Sequence, residues 1–153
     1  LDDTIFVYKS HEYDRSLVTK CQRVAIVTSH RCLEDEAASV WSAGWISAGN
    51  MQAMANFLAG SLHIYERWKT HGPLDIDYTT FTTHPNALYG ILNSYISYSL
   101  NVSLDASIGL DLKKEANPQI PHRNNTEKFD TTPLRKILDR SAHTGIWCRT
   151  PLT

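Results

Sequence analysis

Val24 to Trp45 reads VAIVTSHRCLEDEAASVWSAGW, and its reading decides the fold. Val24 to Val27 is a short apolar run rich in β-branched residues, the composition of a buried strand. Thr28-Ser29-His30-Arg31 follows as a polar turn. Beyond it Leu33, Ala37, Val40, Trp41 and Gly44 recur at helical spacing and share one face. Glu34, Asp35 and Glu36 place negative charge in the first turn, where the helix dipole favours it. A strand feeding a helix through a short polar turn is half of a βαβ unit. Ligands of open α/β sheets bind at the carboxyl ends of such strands, and Arg31 stands at that point.

Outward from this stretch, the upstream side offers IFVYK, Ile5 to Lys9, as a first strand ending in the polar cluster Lys9-Ser10-His11-Glu12. Asp14 to Gln22 reads as a polar connection with one or two helical turns. Downstream, Asn50 caps a second helix running to about Lys69, with Met54, Leu58, Leu62 and Tyr65 forming an apolar stripe. Gly72-Pro73 stops that helix. Leu74 to Tyr78 alternates apolar and acidic residues as a third strand. Pro85 suits the first position of another helix, which carries Leu88, Leu92, Tyr95 and Ile96 along one face. Residues 113–132, with Asn117-Pro118, Ile120-Pro121 and Asn124-Asn125, read as loop. Pro133 to Arg140 makes a last short helix with Leu134, Ile137 and Leu138 inward. The order β-α-β-α-α-β-α predicts an α/β fold, a mostly parallel sheet flanked by helices.

The 153 residues suit a single domain over 1–153, with 42% hydrophobic and 20% charged residues. A net charge of -1 gives no bulk attraction for nucleic acid or an anionic membrane, so no nucleic-acid partner is expected. Cys21, Cys32 and Cys148 are odd in number and lack ligand spacing, which indicates neither a disulfide framework nor a zinc site. The seven histidines form no recognised ligand pair, so no metal is expected. There is no membrane segment and no signal-peptide pattern. The compartment is not fixed by the sequence, the cytoplasm being the preferred reading.

Two groups of residues could carry chemistry. Lys9 and His11 share a face of an ideal strand, so an imidazole base and an ammonium could converge on one reacting centre. They also suit a solvated strand end. Arg31 can bind a phosphate bidentately, and Ser39 could donate to another phosphate oxygen. Eight residues span about 12 Å of helix axis, so the two share one phosphate only if the arginine folds back along the helix. The alternatives are a surface arginine paired with Glu34 or Asp35, and a serine chosen for close packing.

Together these segments resemble the sulfotransferase family, whose members move a sulfuryl group from 3′-phosphoadenosine-5′-phosphosulfate to a hydroxyl or amine. Lys9-Ser10-His11 is similar to the family's Lys-Thr-His motif, and Arg31 to Ser39 to its Arg-x7-Ser spacing. Asp75 to Leu104 is similar to its strand, Tyr-Glu turn and following helix. Arg140 through Gly145 to Trp147 is similar to the late Arg-Lys-Gly…Gly-x-Trp motif. The resemblance implies a P-loop nucleoside triphosphate hydrolase-like fold of sulfotransferase type, with His11 as general base and Lys9 on the donor's bridging oxygen. It places Arg31 and Ser39 on the 3′-phosphate, Tyr78 near the adenine and Arg140 on the nucleotide, with no metal. The acceptor is not specified.

The family's Pro-Lys-Ser-Gly-Thr-type loop, which cradles the 5′-phosphosulfate, has no counterpart in Leu1 to Tyr8, and Thr79 stands where Tyr-Glu would place its acid. The chain is therefore expected to be the C-terminal part of an enzyme truncated at the N-terminus and inactive alone. The alternative is a catalytically inactive nucleotide-binding or scaffold domain of the same fold. A P-loop kinase fragment would need a Walker-type motif and acidic magnesium ligands, and neither is present.

Overall fold

A computed structural model describes residues 5–104 and 129–139. In chain order the elements are α1 (Arg15–Thr19), β1 (Val27–His30), α2 (Leu33–Ser42), α3 (Met51–Lys69), β2 (Leu74–Asp77), α4 (Tyr78–Thr83), α5 (Pro85–Leu100) and α6 (Thr132–Asp139). The class is mixed α/β: a two-stranded parallel sheet with helices. Val27 aligns with Leu74, Thr28 with Asp75, Ser29 with Ile76 and His30 with Asp77.

The strand expected at Val24–Val27 lies three residues later. Ile26 explains the upstream limit: its carbonyl accepts from Leu74 N at 2.9 Å and from the Tyr95 hydroxyl of α5 at 2.9 Å. Tyr95 also accepts from Ile26 N at 3.3 Å. The ladder therefore starts at Ile26, and β1 (VTSH) takes in Val27 of the expected strand and Thr28, Ser29 and His30 of the expected polar turn.

No strand forms at Ile5–Lys9. This segment has no regular structure, and Phe6 is 90% and Val7 94% exposed. Its residues favour β geometry locally, but β propensity reflects packing against neighbours, and no described strand flanks it.

α2 buries Leu33, Ala37, Val40 and Trp41 as its spacing requires. Gly44 does not extend that face; it ends the helix. At φ +74° it takes the left-handed conformation, with Gly44 N bonded to Trp41 O at 3.0 Å and Trp45 N to Val40 O at 3.2 Å. This is a Schellman closure, which glycine permits without a Cβ penalty.

α3 starts where its cap requires, since the Asn50 side chain accepts from Ala53 N at 3.0 Å. Asn50→Ala is expected to cost about 1 kcal/mol, measurable as a fall in the urea midpoint. An unchanged midpoint would show that the cap contributes nothing. α5 begins at Pro85 and ends at Asn101, which is left-handed at φ 54°. α4, directly after β2, was not anticipated.

The core lies between α2, α3 and α6. Leu33, Val40 and Trp41 meet Met54 and Leu58 of α3 and Leu134 and Leu138 of α6, with Phe129 against the Trp41 ring at 5.2 Å. The inward Leu134 and Leu138 are as the spacing predicts; Ile137 is half-buried beside them. The expected loop at 113–132 falls outside the described residues up to 128, and α6 begins at Thr132. Among the described residues, no helix is long and apolar enough to cross a membrane.

Candidate functional site

A cleft of about 260 Å³ opens at the carboxyl end of β1, where β1 passes into α2. The strand end supplies Ser29, His30 and Arg31, α2 supplies Glu36, α3 supplies Ser61 and Tyr65, and α4 supplies Tyr78. The end of β1 and the helices α2, α3 and α4 thus deliver one cation, one carboxyl, one imidazole and four hydroxyls to one small volume.

Arg31 lies over the Tyr78 ring, its guanidinium carbon 4.6 Å from the ring centroid. Its Nε is buried and has no hydrogen-bond partner among the described residues. A buried donor left unpaired costs on the order of 1–3 kcal/mol, so this atom marks a place where an acceptor would bind favourably. Glu36 faces the same space. Burial raises its carboxyl above the ordinary range, only partly offset by the Ser61 hydrogen bond and the Arg31 charge.

Behind the cleft lies a polar cluster centred on Asp75. Its Oδ1 accepts from Thr28 Oγ1 at 3.0 Å and from His30 Nδ1 at 3.1 Å. Its Oδ2 accepts the Tyr65 hydroxyl, and Lys69 Nζ approaches at 3.7 Å. Burial by itself pushes Asp75 upward, the largest single effect, yet the hydrogen bonds from Tyr65, His30 and Thr28 together hold it below its usual value. Tyr65 is pushed well above the phenol range, first by burial and then by the Asp75 hydrogen bond and charge.

Of the residues expected in a site, the structure brings Arg31 and Tyr78 together. Ser39 is half-buried on α2 one turn beyond Glu36 and does not line the cleft. Lys9 and His11 are exposed and do not line it either. Their segment docks instead at the far end of α3. Trp68 Nε1 donates to Glu12 O at 3.3 Å, and the Tyr13 hydroxyl meets His71 Nε2 at 2.7 Å. Arg67 stacks on the Tyr13 ring at 3.9 Å. Arg140 lies outside the described residues.

Sequence reasoning missed Tyr65, Asp75 and Glu36, and gave His30 no role. One signal was present: Asp75 alternates with apolar residues in a strand, and a carboxylate carried into a sheet needs partners. The cysteine expectation also needs correction, because Cys32, at the N-cap of α2, is disulfide-bonded while Cys21 is free and exposed. An odd count leaves one thiol over without preventing a bridge. Among the described residues no group of three or more His, Cys, Asp or Glu side chains could hold a metal ion.

Among known proteins, no family model, no curated protein and no solved structure matches this chain.

Proposed function

We propose that this chain is a sulfotransferase-like domain of P-loop-type fold whose Arg31 cleft binds a phosphate group of 3′-phosphoadenosine-5′-phosphosulfate. The observation that carries the reading is the buried Nε of Arg31, without a hydrogen-bond partner among the described residues, at the carboxyl end of a parallel strand. A guanidinium keeps its charge at any working pH and offers phosphate two parallel donors. Tyr78 holds it by cation–π contact, which fixes the fork without using its N–H groups.

In sulfuryl transfer the protein's part is positioning and charge stabilisation, as in phosphoryl transfer. The reaction passes a sulfuryl group to an acceptor hydroxyl or amine and leaves 3′,5′-diphosphoadenosine.

Calorimetric titration with 3′,5′-diphosphoadenosine tests the reading. Arg31→Ala is expected to weaken binding at least tenfold, about 1.4 kcal/mol, with the helical circular-dichroism signal retained. Arg31→Lys should recover little, since an ammonium lacks the planar fork. If the unmutated chain binds this ligand no better than adenosine, the reading fails. Equal binding of AMP would remove the 3′-phosphate assignment.

A second reading is a catalytically inactive nucleotide-binding or scaffold domain. What favours it is the position of Lys9 and His11 outside the cleft.

A further inference from the structure

We infer that the Arg31 cleft takes up its phosphate together with one proton, which Glu36 holds, so that Glu36 is a ligand-binding residue and sets the pH range of binding; this deepens the donor reading above and rests on it.

A cation and a carboxyl enclosed in one small cleft are expected to pair, because buried charges seek partners. Arg31 and Glu36 both line the cleft, yet among the described residues no ion pair joins them. Arg31 Nε is left without an acceptor. Glu36 is hydrogen-bonded to Ser61 of α3 instead. The guanidinium is thereby kept for a ligand, while the carboxyl stays in the space that the ligand must enter.

A phosphate monoester brings up to two negative charges to a cleft with one arginine. An ionised carboxylate facing the same volume would repel it, the more so as water leaves. A protonated carboxyl does the reverse, since it carries no charge and has an O–H to donate. Burial already moves Glu36 that way, raising its carboxyl above the ordinary range. A phosphate beside it pushes in the same direction. The proton comes from solvent and resides on one Glu36 oxygen, which donates to a phosphate oxygen. The other Glu36 oxygen keeps the Ser61 hydroxyl.

The sign of the pH dependence follows. Where the empty cleft holds Glu36 ionised, binding must first return a proton, so affinity falls as pH rises. Of the groups around Glu36, Arg31 keeps its charge at any working pH. Tyr65 of α3 is pushed above the phenol range and stays neutral. Tyr78 of α4 lies against the guanidinium, and Glu34 and Asp35 precede Glu36 on α2. His30, at the end of β1, is the neighbour whose titration could mimic that of Glu36.

The test is calorimetric titration of the full chain with 3′,5′-diphosphoadenosine between about pH 7.5 and 8.5, where phosphates with a second pKa of about 6 are already dianions. Two buffers of different ionisation enthalpy count the protons. The unmutated chain should take up close to one proton per nucleotide, with affinity falling by up to about tenfold per pH unit. Glu36→Gln, which keeps the shape and a donor but cannot ionise, should abolish the uptake and bind about tenfold more tightly at the upper pH. His30→Gln should keep the uptake. Binding without proton uptake, weaker binding by Glu36→Gln, or an uptake that disappears in His30→Gln would each overturn the inference and leave the donor reading standing. Binding of the nucleotide no better than adenosine would overturn both.

Discussion

Leu58→Ala is expected to destabilise the fold by about 2–5 kcal/mol, a large part of the roughly 5–15 kcal/mol of a typical domain. Leu58 is 1% exposed and lies where α3 meets both α2 and α6. Truncation removes its transfer free energy and leaves a cavity that neighbours on two other helices cannot fill without moving. Ala37 and Ala55 are buried in the same cluster. Urea denaturation should show the midpoint falling with an unchanged slope. A loss below about 1 kcal/mol, small against the usual cost of a core leucine, would mean that the α2–α3–α6 cluster is not the principal core.

The second large effect is expected at Asp75. Its carboxylate joins Thr28 and His30 of β1 to Tyr65 of α3 from its own place on β2. Hydrogen bonds to a charged group contribute about 1.5–3 kcal/mol each, and they share one acceptor here, so Asp75→Ala should cost on the order of 3 kcal/mol at pH 7. The pH dependence has a definite sign. The folded carboxyl titrates below its ordinary value of 3.8. Its stabilisation is therefore complete above the unfolded value and is lost as pH falls through the folded one. The gap between unmutated protein and variant should narrow below about pH 4. Denaturation at pH 7 and pH 2 measures it. A gap of the same size at both would show that the ionised carboxylate plays no part.

How legible these features were in the sequence depended on how local their causes are. Asn50 and Pro85 announce helix starts through chemistry contained within one turn, and both helices begin where those residues require. The stripe Met54, Leu58 and Leu62 is buried for the same reason. Strands were less legible. VAIV has the composition of a strand, but register is set by Leu74 and Tyr95, far along the chain. IFVYK has equal local propensity and forms no strand. Gly44 fits a helical face by spacing and still closes the helix, because its positive φ is visible only in three dimensions.

The candidate site divides in the same way. Arg31 at a strand end could be singled out from order alone, and Tyr78 followed from the family resemblance. His30, Tyr65 and Asp75 come from three different elements, and no spacing rule links them. The Lys9–His11 convergence assumed a paired strand at 5–9, and without that strand the two side chains are not carried to the cleft.

The parallel pairing of β1 with β2 also bears on the order of assembly. Both α2 and α3 lie between the two strands, so the ladder must close a long stretch of chain before any of its hydrogen bonds forms. Contacts between α2 and α3 join nearer neighbours and are entropically cheaper to make first. The sheet, and with it the Asp75 cluster, is then a late arrival. Asp75→Ala should mainly speed unfolding, whereas Leu58→Ala should also slow folding. Stopped-flow chevrons read this directly, and equal slowing of folding by both variants would place the sheet in the nucleus instead.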